Sequence, residues 1–156
     1  MRIIQDILTV VNNLLLPVGN LGYTRNSMPQ IDHDRVGDFI AYLQEKGIEV
    51  NLVKVKCSTL RLTQNEINKL KVFEVIQLIR KKKKLDPFFY SKDRYVLDGS
   101  HRFVGQLNVD PEKPVVAWRV EYPMMELLKI ANQFPGVRHR TVSDRKLEKP
   151  KNVNRN

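Results

Sequence analysis

The feature that most limits what this chain can fold into is a repeated change in the period of its apolar residues. The stretch "IEVNLVKVK", Ile48 to Lys56, alternates Val53 and Val55 with lysines, as a strand does when one sheet face meets water. In "INKLKVFEVIQLI" the apolar positions Ile67, Leu70, Phe73, Ile76 and Ile79 instead recur in steps of three, with Val72 and Val75 widening the face of a helix. Further on, Leu85 to Tyr90 and Tyr95 to Asp98 flank the polar turn "SKDR" and predict a hairpin. "VVAWRV" predicts another strand, and Met124, Leu127, Leu128 and Ala131 predict another helix. Strands and helices mixed in this order call for an α+β domain.

Local signals set the expected boundaries. A first helix is predicted over Ile3 to Leu16, ended by Pro17, Gly19 and Gly22. A second is predicted from Ile31 to Lys46, with Asp32 as cap and Gly47 as stop. "TQNE" predicts a capping box, in which Thr63 accepts the Glu66 amide hydrogen while the Glu66 carboxylate returns to the Thr63 amide. The run Arg80 to Lys84 complements the carboxyl end of the helix that follows.

A length of 156 residues with 42% hydrophobic content suffices for one domain with its own core. The expected organisation is an N-terminal helix and connection (1–22), the main domain (23–137) and a basic C-terminal tail (138–156). No apolar run reaches the length of a membrane span and no leader pattern opens the chain, so a cytoplasmic location is expected. Cys57 has no second cysteine to pair with, and His33, His101 and His139 lack the spacing of zinc ligands. The net charge of +10 attracts polyanions and phosphorylated small molecules alike. Half of it lies from Arg138 onward.

The junction "YVLDGSHRFVGQL" places Gly99-Ser100-His101-Arg102 between an apolar strand and a helix-periodic segment. Amides at a helix start lack internal partners and can receive an anion. Gly99 permits close backbone approach, Ser100 can cap or bind, His101 can donate or exchange a proton, and Arg102 can fork onto phosphate oxygens. Asp98 opposes an anion unless it orients His101, holds magnesium or contacts a substrate hydroxyl. The same residues also read as plain structure: Ser100 as a cap, His101 as packing, and Arg102 as the ion-pair partner of Asp98.

The order "TQNEINKLKVFEVIQLI", a polar gap, then "PFFYSKDRYVLDGSHRFVGQL" resembles the ParB/sulfiredoxin superfamily, especially compact phage or bacterial members labelled ParB-like nucleases. The resemblance runs from about Val53 to Leu107. It implies a small mixed sheet flanked by helices, with an anion-binding turn at a helix N-terminus, in the host cytoplasm if the chain is phage-encoded. Members with small-molecule kinase activity show Asp-Gly-His-His-Arg at this turn, matching Asp98, Gly99, His101 and Arg102, with Ser100 departing. Sulfiredoxins carry Gly-Cys-His-Arg, and Ser100 replaces that cysteine, which disfavours their chemistry. Partition proteins match only at Gly99 and Arg102.

The resemblance therefore implies nucleotide or phosphate binding, with a magnesium-dependent phosphotransferase using ATP, ADP or CTP as the first expectation. In it Glu66 aligns or deprotonates a hydroxyl, or only caps its helix; Asp98 contacts metal or substrate; His101 and Arg102 stabilise phosphate charge. Arg25 and Gln30 are candidate substrate contacts. One alternative is a ParB-like nuclease holding DNA or RNA through Lys81, Lys82, Lys83 and Lys84. Another is a noncatalytic module that binds nucleic acid or a host protein.

Overall fold

The computed structural model describes the backbone of residues 2–17 and 19–139, with side chains from residue 7 onward. The expected basic tail lies outside the described residues from 140 on. The chain forms an α+β fold: a small mixed sheet with helices on both faces. Its elements in order are α1 (Arg2–Asn12), β1 (Asn20–Tyr23), α2 (Val36–Glu45), β2 (Val50–Lys56), β3 (Leu62–Gln64), α3 (Lys69–Arg80), β4 (Phe89–Ser91), β5 (Val96–Asp98), α4 (Ser100–Val109), β6 (Pro114–Val120) and α5 (Met124–Asn132). Short 3-10 turns cover Arg25–Ser27, His33–Arg35 and Cys57–Thr59.

Four strands make one sheet in the order β2-β6-β4-β5, and β1 and β3 make a parallel pair. β2 and β6 are antiparallel, with Val53 opposite Ala117; β4 lies parallel to β6 and antiparallel to β5. The two sheets meet where Arg61 bridges Tyr95, and the Thr63 hydroxyl donates to the Val96 carbonyl at 2.7 Å. β2 is an end strand of the four-stranded sheet, and Lys54 and Lys56 on it are exposed.

Side-chain alternation along the strands produces two cores. On one face Phe39 and Leu43 of α2 and Met124, Leu127 and Ala131 of α5 pack over Val50, Phe89, Leu97 and Val120. On the other, Val72 and Ile76 of α3 and Phe103, Val104 and Leu107 of α4 pack over Val55, Tyr90, Val96 and Ala117. Each fully buried aliphatic or aromatic side chain is worth about 1.5–3 kcal/mol. Gly105 lets α3 and α4 approach closely, since a Cβ there would stand 2.3 Å from Cγ1 of Val75. Cys57 fills the second core, fully buried, and burial pushes its thiol up to about 12, which removes it as a nucleophile near neutral pH. Among the described residues no helix is long and apolar enough to cross a membrane.

Several expected boundaries are corrected. α1 stops at Asn12, and the chain beyond it is clasped by Asn108, which accepts from the Leu15 amide at 2.6 Å and donates to the Leu15 carbonyl at 2.8 Å. α2 begins at Val36, after a 3-10 turn, and Asp32 makes no capping bond; it pairs instead with Arg138 at 2.8 Å. Gly47 does stop α2: at φ +77 it sends its amide to the Gln44 carbonyl while Ile48 reaches Leu43. The capping box does not form, because Thr63 and Gln64 belong to β3 and pair across strands. Asn68 caps α3 in its place, accepting from the Lys71 amide at 3.1 Å. The buried face of α3 is Lys71, Val72, Val75 and Ile76, so the steps of three drift off it and Leu70 is left exposed.

Candidate functional site

β5 ends at Asp98 and α4 begins at Ser100, with Gly99 between them in the left-handed region at φ +91. A side chain at Gly99 would be strained in that conformation. It would also collide, because a Cβ would stand 2.6 Å from both Nη2 of Arg102 and Cβ of Phe88. The guanidinium of Arg102 thus folds back over the glycine. Its Nη2 donates to Oδ2 of Asp98 at 3.3 Å, and Oδ1 of Asp98 accepts from the Ile31 amide at 3.4 Å. Both partners are almost fully buried. Burial pushes the Asp98 carboxyl up to about 6 against the pull of Arg102 and the Ile31 amide. Burial also lowers Arg102 from its ordinary value, with Asp98 and Asp86 pulling the other way.

The first turn of α4 faces the start of α3. Nε2 of His101 accepts from the Asn68 amide at 3.0 Å, so in this arrangement the ring carries its proton on Nδ1. Two helix N-termini therefore meet, and each presents the positive end of its dipole. Beside this junction Arg25, Asn65, Glu66, Ile67 and Asn68 line a cleft of about 390 Å³. Glu66 is fixed by the Arg25 amide, which donates to its Oε1 at 2.6 Å. Glu66 is consequently a wall of the cleft rather than the cap of a helix.

Most buried polar side chains come from the segments around this junction: Arg25, Gln30, Gln64, Lys71, Asp98, Ser100, His101 and Arg102. Among the described residues several of their atoms have no hydrogen-bond partner, namely Nε2 of Gln30, both amide atoms of Gln64, Oγ of Ser100 and Nε of Arg102. Leaving such groups unmade costs about 1–3 kcal/mol each.

The structure thus brings together Arg25, Glu66 and, through His101, the turn from Gly99 to Arg102. The backbone beside Gln30 reaches the same region, since Ile31 holds Asp98. Lys81, Lys82, Lys83 and Lys84 are exposed and lie past the far end of α3, about 18 Å from its N-terminus by helix rise. The sequence assigns no ligand-binding role to Gln64, Asn68, Asp86 or His33. Gln64 sat in the supposed capping box, and Asp86 and His33 meet only in the folded chain, at 2.7 Å.

Among the described residues no group of three or more His, Cys, Asp or Glu side chains is placed to hold a metal ion. Asp98 does not fit magnesium as a ligand here: it is a single buried carboxylate with both oxygens engaged, and magnesium keeps several waters. No family model, curated protein or solved structure matches this chain. The fold and the site define a mixed α+β protein with a polar junction between two helix starts.

Proposed function

We propose that the protein binds a phosphorylated small molecule, of the nucleotide class, where the N-termini of α3 and α4 meet. The observation that carries this reading is the meeting of two helix starts, joined by the hydrogen bond from the Asn68 amide to His101, beside the cleft that Arg25 and Glu66 line. The first turn of α4 is buried, with Ser100 and His101 at 0% and Arg102 at 4% exposure, so phosphate oxygens would take its amides, the Ser100 hydroxyl and the Arg102 guanidinium only as this turn opens. The ParB/sulfiredoxin resemblance at Asp98 to Arg102 supports the same ligand class. The reaction class in keeping with it is phosphotransfer: a hydroxyl acceptor held beside Arg25 gives its proton to the Glu66 carboxylate as its oxygen attacks the terminal phosphorus. The bond from that phosphorus to the bridging oxygen breaks, and the diphosphate or monophosphate leaves.

Calorimetric titration with ATP, ADP and CTP, with and without magnesium, tests the binding. At least one should bind, and Arg102→Ala should weaken it about tenfold, as loss of one charge-assisted contact does. Absence of binding by all three ends the reading. Binding confined to long nucleic acid, and lost when Lys81 to Lys84 are neutralised, would replace it with a nucleic-acid module.

A further inference from the structure

The proposed phosphate cradle already has an occupant. Arg102 is held by Asp98 on one side, and on the other its Nη1 stands 3.9 Å from Oδ2 of Asp86. The two carboxylates differ in what fixes them. Asp98 ends a strand, is almost fully buried and is pinned by the Ile31 amide. Asp86 lies in the connection between α3 and β4, its side chain 30% exposed, and is steadied by His33, whose Nδ1 is 2.7 Å from the same Oδ2. His33 itself is 66% exposed, so this side of Arg102 is the one that opens to solvent.

We propose that Asp86 is a built-in competitor: its carboxylate stands in for the anion at Arg102, and a ligand must displace it to bind. This rests on the anion-binding reading and adds a regulatory contact to that site. The physical case is one of unequal anchoring. An incoming phosphate cannot take Nη2 without uncovering a buried Asp98 charge, which is expensive. It can take Nη1 at little cost, because the Asp86 contact is long and Asp86 retains water and His33 as partners when it lets go.

The contact also sets how much charge a ligand must bring. A carboxylate already present at Nη1 is matched by a singly charged anion and outcompeted by a multiply charged one. Pyrophosphate is therefore the informative probe.

Titration calorimetry of the full chain with inorganic pyrophosphate provides the test, using Asp86→Asn and, as a control for bulk charge, Asp34→Asn. Asp34 is exposed on the same 3-10 turn as His33. Asp86→Asn should bind pyrophosphate roughly fivefold more tightly than the parent, with Asp34→Asn close to the parent. Equal affinity for Asp86→Asn and the parent, or the same gain in both variants, overturns the competitor while leaving the anion site intact. If neither parent nor variant binds pyrophosphate, the anion site fails and the competitor with it.

Discussion

Asp98 titrates against its own setting. Its carboxyl is pushed up to about 6 in the fold, from an ordinary 3.8, with burial as the leading cause. The folded protein therefore holds this proton more tightly than the unfolded chain does. Its stabilising contribution is complete below about 3.8 and is lost as the pH rises through about 6. Asp98→Asn removes the titration. Urea unfolding between pH 4 and pH 7 should show the parent losing stability relative to Asp98→Asn, on the order of 2 kcal/mol across that range. Parallel profiles would mean that the carboxylate is better solvated than the fold indicates. At this scale the sequence was informative about Gly99, because a glycine between an apolar strand and a helix start signals a tight passage. It gave no sign of Asp86 beside Arg102, since that pairing depends on how the connection after α3 returns over α4.

Elements show where local pattern and tertiary context part. α3 ends with Lys82 at φ +59, its amide reaching the Ile79 carbonyl while Lys83 reaches Leu78. That is the arrangement in which Gly47 closes α2, with a lysine in the left-handed position. Lys82→Gly should relieve the strain and raise stability by about 0.5–1 kcal/mol, less than the full left-handed penalty because glycine also loosens the unfolded chain. Thermal or urea denaturation would register the gain, and an unchanged or lower midpoint would count against the strain. The capping box failed for a related reason. "TQNE" has the right spacing, but Thr63 and Gln64 gain more as strand residues, with Tyr23 opposite Gln64 and the Val96 carbonyl accepting from Thr63. The steps of three in α3 misled likewise: the helix buries Val72, Val75 and Ile76, a spacing of three and four that suits α4 behind it. The presence of β2 and β6 was legible from alternation and β-branched content, although β2 starts at Val50 rather than Ile48 and β6 takes in Pro114, and the stop of α2 at Gly47 was legible too.

For the whole molecule, the mixture of strand and helix periods was enough to specify an α+β fold. The order β2-β6-β4-β5 was not legible, as the pairing of β6 between β2 and β4 is set by long-range packing on the two cores. One outcome of that order concerns β2, a seven-residue strand at the end of the sheet, bearing exposed Lys54 and Lys56. Edge lysines discourage another strand from adding alongside. Replacing both with threonine should leave the fold intact and increase self-association at equal concentration, as sedimentation velocity would report; unaltered sedimentation would show that the edge is shielded some other way. The two lysines thus act as colloidal guards, keeping neighbouring copies from zipping together into a growing ribbon.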